Sequence, residues 1–474
     1  MKRRSFIKKT AIASSAFTIV PSFVLGGRHI APSDTLYMAA IGVGGRGGGV
    51  VRELFETGKV KFVALCDVDD SRAKQSFEKY PKAKKYTDYR KVYDNHVKEI
   101  DAFTVATPDH THAIISLPFM RAKKHAYVEK PLTHNIYEAR LMTKVAEEHG
   151  ITTQMGNQGA SGDGIRQAKE WIEAGAIGKV YRVDSWTNRP VWPQGLKNIT
   201  DKEKIPKTLD WDLWLGPAAM RPYNSAYLPF KWRGFWDFGT GALGDMGCHI
   251  METPFNVLEL GYPTEAEASC TTVWAGDFIE ANYDKVCPPS SIVRLKFDSK
   301  KHGQVALNWY DGGIMPDLPD ELKDDELLGD WNGGSLFYGD RGMMVTGTYS
   351  RNPRLLPSEL NTLFQPPKPS IKRVQGGDNK HANEFVQACL NNGTTSSPFS
   401  YAGPLTEAVL MGNLAIKAFQ YKVLKEGKTP TSWAPYDYPG RRKLLWDGKN
   451  MKVTNYEKAN EWVTRDYRDG WEVK

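Results

Sequence analysis

Two changes of texture along the 474 residues predict a two-part α/β architecture. The expectation is an N-terminal doubly wound parallel sheet followed by an α+β domain with a large, mostly antiparallel sheet. From residue 36 to 158, short apolar runs alternate with amphipathic helical stretches, which is how a parallel sheet with right-handed crossovers reads. Beyond Gly156 the apolar runs become rich in aromatics, alternate in polarity and follow one another with few helices between, as antiparallel strands do. The length itself asks for more than one core.

The expected organisation is an export signal over 1–30, a nucleotide-binding domain over 34–158, a substrate and oligomerisation domain over 159–400, and a C-terminal helix with an aromatic tail over 401–474. The first residues run Lys2-Arg3-Arg4-Ser5-Phe6-Ile7-Lys8-Lys9, then an apolar stretch over 11–25 interrupted by Pro21. That stretch is too short and too Ser-rich to span a bilayer, so it reads as a secretory signal. The adjacent arginines resemble a twin-arginine signal, which implies a periplasmic or otherwise exported protein with no stable membrane association once the signal is removed. No small-x-small cleavage site stands out, so an uncleaved anchor stays open as an alternative. Six of the basic residues that make the net charge +8 lie within residues 1–28, where no acid offsets them; the remainder is nearly balanced, so no nucleic-acid partner is implied. Cysteines 66, 248, 270, 287 and 389 show neither CxxC spacing nor interleaved histidines, so no metal site and no disulfide scaffold is expected. A single Cys270–Cys287 bridge is the one pairing left open.

In the first domain the strand-like runs are 36–43, 60–66, 102–107, 126–128 and 151–155. Between the last two, Ile136, Ala139, Leu141, Met142, Val145 and Ala146 give residues 135–149 a helical apolar face. In the second domain a helix over 163–174 leads into runs at 180–186, 270–274, 292–297, 304–310 and 343–346. Stretches 189–207 and 311–334 are too long for plain connections and are candidate rims of an active site. Residues 356–372 are a Pro-rich connector, and 404–422 are helical. The tail, with Trp433, Tyr436, Tyr438, Trp446, Trp462 and Trp471, is too aromatic for disorder and is expected to wrap a domain or a neighbouring subunit. There is no internal repeat.

Chemistry enters at Gly42-Val43-Gly44-Gly45-Arg46-Gly47, which follows a strand and opens a helix. Gly42 permits a tight turn, Gly44 lets a pyrophosphate reach the backbone, and Gly47 lets the helix pack on the sheet, the arrangement of a Rossmann nucleotide site in which Gly45 is also counted as cofactor-binding. Asp67, at the end of the second strand, suits both ribose hydroxyls and would repel a 2′-phosphate, so NAD is favoured over NADP. Arg46 and Arg72 leave NADP open. Thr107-Pro108-Asp109-His110-Thr111-His112 and Glu129-Lys130-Pro131 end the next strands and so face the same crevice. Asp245 and His249, four apart, share one face of a helix, so the carboxylate could orient the imidazole while a helix N-terminus keeps it neutral.

These segments resemble the Gfo/Idh/MocA family of sugar and cyclitol oxidoreductases, in its exported bacterial subgroup. The resemblance spans about residues 35–420 and rests on GVGGRG at 42–47, CDVD at 66–69, ATPDHTH at 106–112, EKP at 129–131 and GALGDMGCH at 241–249. It implies that Lys130 lies beside nicotinamide and substrate, that Glu129 contacts the nicotinamide ribose, that Lys130–Pro131 is cis, and that Asp245 and His249 form an acid/base dyad. With Thr107, Pro108, His112 and Asn157 added, it gives the expected cofactor set. Trp186, Asn188, Arg189, Arg233, Trp236 and Tyr310 are candidate sugar contacts, each equally readable as core or rim. The implied assembly is a homodimer or homotetramer.

The expected reaction is oxidation of a secondary sugar hydroxyl, with His249 removing the proton and Lys130 donating to the oxygen. An exported enzyme cannot draw on cytoplasmic NAD, so the cofactor would be tightly bound and recycled in place, as in an oxidoreductase that makes and reduces 3-keto glycosides. A redox-neutral NAD-dependent glycosidase using transient C3 oxidation and elimination is the alternative. The family of such glycosidases departs from EKP at the lysine position, and Lys130 favours the oxidoreductase. A catalytically idle sugar-binding protein is the third reading, against which stands the retention of Lys130, Asp245 and His249.

Overall fold

The computed structural model describes residues 34–194 and 198–473; the expected export signal lies outside them. Six strands, β1 (Leu36–Ile41), β2 (Val60–Cys66), β3 (Lys84–Tyr86), β4 (Ala102–Val105), β5 (His125–Val128) and β6 (Thr153–Met155), form a parallel sheet in the order β3-β2-β1-β4-β5-β6. The order reverses between β1 and β4, which opens a crevice beyond their carboxyl ends. β1 and β4 are apolar and buried on both faces because helices cover both. β3 escapes the sequence pattern because Lys84-Lys85-Tyr86 is a short, polar edge strand. The helix Ile136–His149 starts where Asn135 accepts from the Glu138 N–H (2.9 Å) and stops where Gly150 turns left-handed.

The second sheet has nine strands. Across it run Arg354–Leu356, Gly342–Gly347, Gly333–Gly339, Val180–Thr187, Gly303–Tyr310, Ser291–Ser299, Glu265–Cys270, Leu444–Asp447 and Lys452–Val453. Neighbours are antiparallel except Val180–Thr187 beside Gly303–Tyr310. The strand expected over 270–274 is displaced: Glu265–Cys270 pairs into the sheet, while Trp274–Gly276 belongs to a separate two-stranded hairpin. Glu265 and Glu267 hide that strand from a hydrophobicity reading, because one face is built on ion pairs to Lys296 (3.1 Å) and Arg294 (3.9 Å). Gly333–Gly339, whose first two residues end the stretch read from sequence as a loop, is a central strand. Its glycines admit neighbouring backbone: a Cβ at Gly334 would stand 2.4 Å from the Thr346 carbonyl oxygen.

The helix Phe399–Gln420 begins five residues before Pro404, ahead of the expected start. It packs on Ile136–His149 from one domain and on Glu265–Cys270 and Gly241–Ile250 from the other, joining both halves through one buried apolar cluster. The tail adds Leu444–Asp447 to the second sheet and carries Trp471 back to the crevice. All five cysteines are free, so the Cys270–Cys287 bridge is not formed. Among the described residues no helix is long and apolar enough to cross a membrane.

Candidate active site

A cleft of about 710 Å³ lies between the carboxyl ends of β1, β2, β4 and β5 and the second domain. One wall is the glycine turn. Gly42 sits at φ 76°, and a Cβ there would meet the Ala106 carbonyl oxygen at 2.7 Å. Gly44, Gly45 and Arg46 line the cleft, while Gly47 acts from behind: its Cβ would fall 1.9 Å from the Gly42 carbonyl oxygen, so only glycine lets the helix Arg46–Phe55 dock. Among the described residues no side chain caps that helix, and its N-terminal residues Gly45 and Arg46 line the cleft, a place that favours an anion. Asp67 accepts from the N–H groups of Val43 (2.9 Å), Gly44 (3.0 Å) and Asp69 (3.0 Å). Burial raises its pKa and those bonds oppose the rise. Arg46 reaches across to Glu129 (2.9 Å), and Thr107 and Pro108 complete this wall.

The far wall is built from side chains. Lys130, following β5 and joined to Pro131 by a cis peptide, donates to Asp245 through its Oδ1 (2.8 Å) and its carbonyl oxygen (2.5 Å). Arg233 donates to the same Oδ1 (3.1 Å), and Arg189 Nε stands 4.0 Å from Oδ2. Burial alone would raise the Asp245 pKa, yet Lys130 and Arg233 hold the carboxyl well below the usual range, so it stays ionised. His249 is 4 % exposed and lines the cleft. Its Nδ1 has no hydrogen-bond partner among the described residues, and its ring meets Tyr349 edge-on at 4.8 Å. Burial, followed by the Lys130 ammonium, pushes its pKa well below the ordinary value, so the imidazole is neutral.

Two features differ from the sequence expectation for this pair. Spacing of four does put Asp245 and His249 on one helix, Gly241–Ile250, but the carboxylate turns to Lys130 and Arg233 and makes no hydrogen bond to the imidazole. His249 also lies in the last turn of that helix, and the causes of its neutrality are burial and the ammonium.

Six other expected contacts do not line the cleft. Both ring nitrogens of His112 face carbonyl oxygens, those of Pro131 and Thr107 (2.9 Å each), so it ties two cleft loops together from beneath. Asn157 donates to buried Glu252 (2.5 Å), whose carboxyl burial drives well above the carboxylate range. Trp186 is a core residue beside Leu328 and Leu336; Trp236 donates to Gln420 (3.1 Å) under Lys417. Tyr310 packs at the edge of the Trp186 cluster. The sequence pattern marked these residues by type, and type does not tell an inward strand position from a cleft one. Asn188 is off the wall as well, whereas Arg189 and Arg233 are on it.

Conversely, Asp109, Phe230, Trp232, Tyr349, Arg351 and Trp471 line the cleft without having been singled out as contacts. Tyr349 reaches it from a left-handed backbone (φ 60°) that no local motif announces. Asp109 belongs to the ATPDHTH segment and is the one a closer reading of strand ends would add; its carboxyl accepts from Thr240 (2.7 Å), and burial raises its pKa.

Residues 36–157 match a family described as "Oxidoreductase family, NAD-binding Rossmann fold", and residues 162–263 match its "C-terminal alpha/beta domain". The chain is 28% identical over 170 residues to "Glycosyl hydrolase family 109 protein" of Shewanella pealeana, covering 31% of this chain and 37% of that protein. It is 28% identical over 167 residues to "Levoglucosan dehydrogenase" of Pseudarthrobacter phenanthrenivorans, covering 35% and 34%. These matches span less than half the length of either relative. Levoglucosan dehydrogenase in complex with NADH superposes with a TM-score of 0.53 at 17% identity, over 80% of this chain and 97% of that one. The aldose-aldose oxidoreductase from Caulobacter crescentus gives 0.52 at 15% identity, over 81% and 98%. At such identities the structural likeness is one of fold.

Proposed function

The chain belongs to the Gfo/Idh/MocA oxidoreductases through residues 36–157 and 162–263, and on that premise we propose that it oxidises and re-reduces a secondary hydroxyl of a sugar or glycoside. The observation that carries this reading is the meeting, at the carboxyl ends of β1, β4 and β5, of an ammonium fixed by an ionised carboxylate with a buried neutral imidazole. The nucleotide-side wall fits NAD: an uncapped helix N-terminus for the pyrophosphate, a turn with no room for Cβ atoms, and Asp67 for the ribose. Asp67 favours NAD over NADP. When bound, the nicotinamide supplies the hydride acceptor. Lys130, aimed by Asp245, donates a hydrogen bond to the reacting oxygen, and His249 takes the hydroxyl proton. Asp245 thus orients the lysine, not the histidine.

The N-terminal Arg3-Arg4 signal supports export and, with it, a retained cofactor recycled by a second sugar; assembly as a homodimer or homotetramer belongs to the same reading. The test is to purify the protein and follow bound nicotinamide absorbance. A rise in reduced-nicotinamide absorbance with one sugar and its loss with a second, hydride-accepting sugar supports the proposal, while absence of any bound or titratable nicotinamide sinks it and leaves a sugar-binding protein. Similarity to the glycosyl hydrolase family 109 protein favours a second reading, a redox-neutral glycosidase. Aglycone released from a nitrophenyl glycoside without net redox would decide for that chemistry.

A further inference from the structure

The sugar end of the cleft carries more positive charge than the expected chemistry uses. Lys130, Arg189 and Arg233 all converge on the single carboxylate of Asp245. The neighbouring Arg351 is neutralised by Asp378 (2.6 Å). Counting buried Asp109 as ionised still leaves a surplus cation on this wall, and His249 adds no charge. A surplus charge held in a half-buried site is costly unless something occupies it.

Two details make the surplus a built feature. Arg233 is clamped between aromatic rings, its guanidinium 4.4 Å from the Phe230 centroid and 4.3 Å from that of Trp232, so it is held in place before any ligand arrives. Arg189 is steadied by donating to the side-chain oxygen of Asn188. Neither guanidinium has a bidentate carboxylate partner among the described residues, although planar forks of this kind pair best with a carboxylate, sulfate or phosphate. For a neutral hexose one hydrogen-bonding cation beside the reacting oxygen would suffice, and Lys130 is that cation.

Resting on the sugar-oxidoreductase reading above, we propose that the substrate is an anionic sugar, whose carboxylate or ester-linked oxyanion is gripped by Arg189 and Arg233 while Lys130 and His249 address a hydroxyl elsewhere on the ring. Phe230 and Trp232 then serve twice, stacking on the guanidinium and presenting apolar surface to the sugar.

The test measures binding of matched pairs to the NAD-saturated protein by calorimetry: glucuronate against glucose, and glucose 6-sulfate and 6-phosphate against glucose. Preference for at least one anionic member by about tenfold or more is expected. It should weaken as salt rises and collapse in Arg233→Gln and Arg189→Gln, with NAD affinity unchanged in both variants. Which arm wins separates carboxylate from ester oxyanion. Equal or tighter binding of the neutral sugars, or a preference that survives both substitutions, overturns the proposal. An anionic sugar that binds but never reduces the bound NAD upholds it and overturns the redox reading instead; a neutral sugar that reduces the NAD as well as its acid does the reverse.

Discussion

The two walls of the cleft are made of different material. The nucleotide wall is mostly backbone: a turn too tight for Cβ atoms, the N-terminus of a helix without a side-chain cap, and a carboxylate that braces the turn. The sugar wall is side chain, a charged group centred on Asp245 and assembled from residues more than a hundred positions apart. Backbone recognition is stiff and suits a ligand that never varies. A wall of side chains can be re-cut for a new substrate without disturbing the fold.

Removing chemistry from the sugar wall should cost most. Lys130→Met is expected to slow sugar-dependent reduction of bound NAD by about a thousandfold, with NAD titration little altered; a parallel loss of NAD binding would show that the walls are not separable. The same measurement against pH sharpens the point. Because the folded protein depresses the His249 pKa, the base is already free at neutral pH, and the acidic limb of the rate profile should fall below about 6.5, the ordinary histidine value. A limb at or above that value would mean that another group takes the proton.

Striking the nucleotide wall should instead cost stability and binding together. Gly47→Ala forces a Cβ against the Gly42 carbonyl and is expected to lower unfolding free energy by about 1–3 kcal/mol in denaturant titration. Trp471→Ala should speed NAD release by about tenfold, read by stopped-flow, since it opens an aromatic flank without touching the turn. The smallest effect is expected at Tyr310→Phe, which should leave sugar binding within about twofold because the ring lies off the cleft.

The same contrast decides how much could be read beforehand. Parallel strands 36–41, 60–66, 102–105 and 125–128 announced themselves by apolar runs, and each cleft motif directly follows one, so order in the chain became order in space. Asp67, Glu129 and Lys130 were legible for that reason. On the sugar wall, Asp245 and His249 were legible as neighbours on one helix, but not the turn of Asp245 toward a lysine 115 positions away. Trp186, Trp236 and Tyr310 have the residue types of a sugar site, but the first two have the burial of a core and Tyr310 packs at its edge, a difference set by which face of a strand or loop each occupies. Tyr349 depends on an unusual backbone angle that nothing local in its sequence specifies.

Trp471 gives the cleft a history as well as a shape. Its ring lies against Arg90 at 4.8 Å and Tyr89 at 6.4 Å, and Arg468 anchors the segment by an ion pair to Asp212 (2.5 Å). The wall that begins at Ile41 therefore ends with a residue made some 430 positions later. At about 5–20 residues per second, the glycine turn emerges from the ribosome tens of seconds before Trp471 does. A nucleotide can settle on the growing chain while the site is still open on that side, and be enclosed only when translation has passed the last aromatic residue.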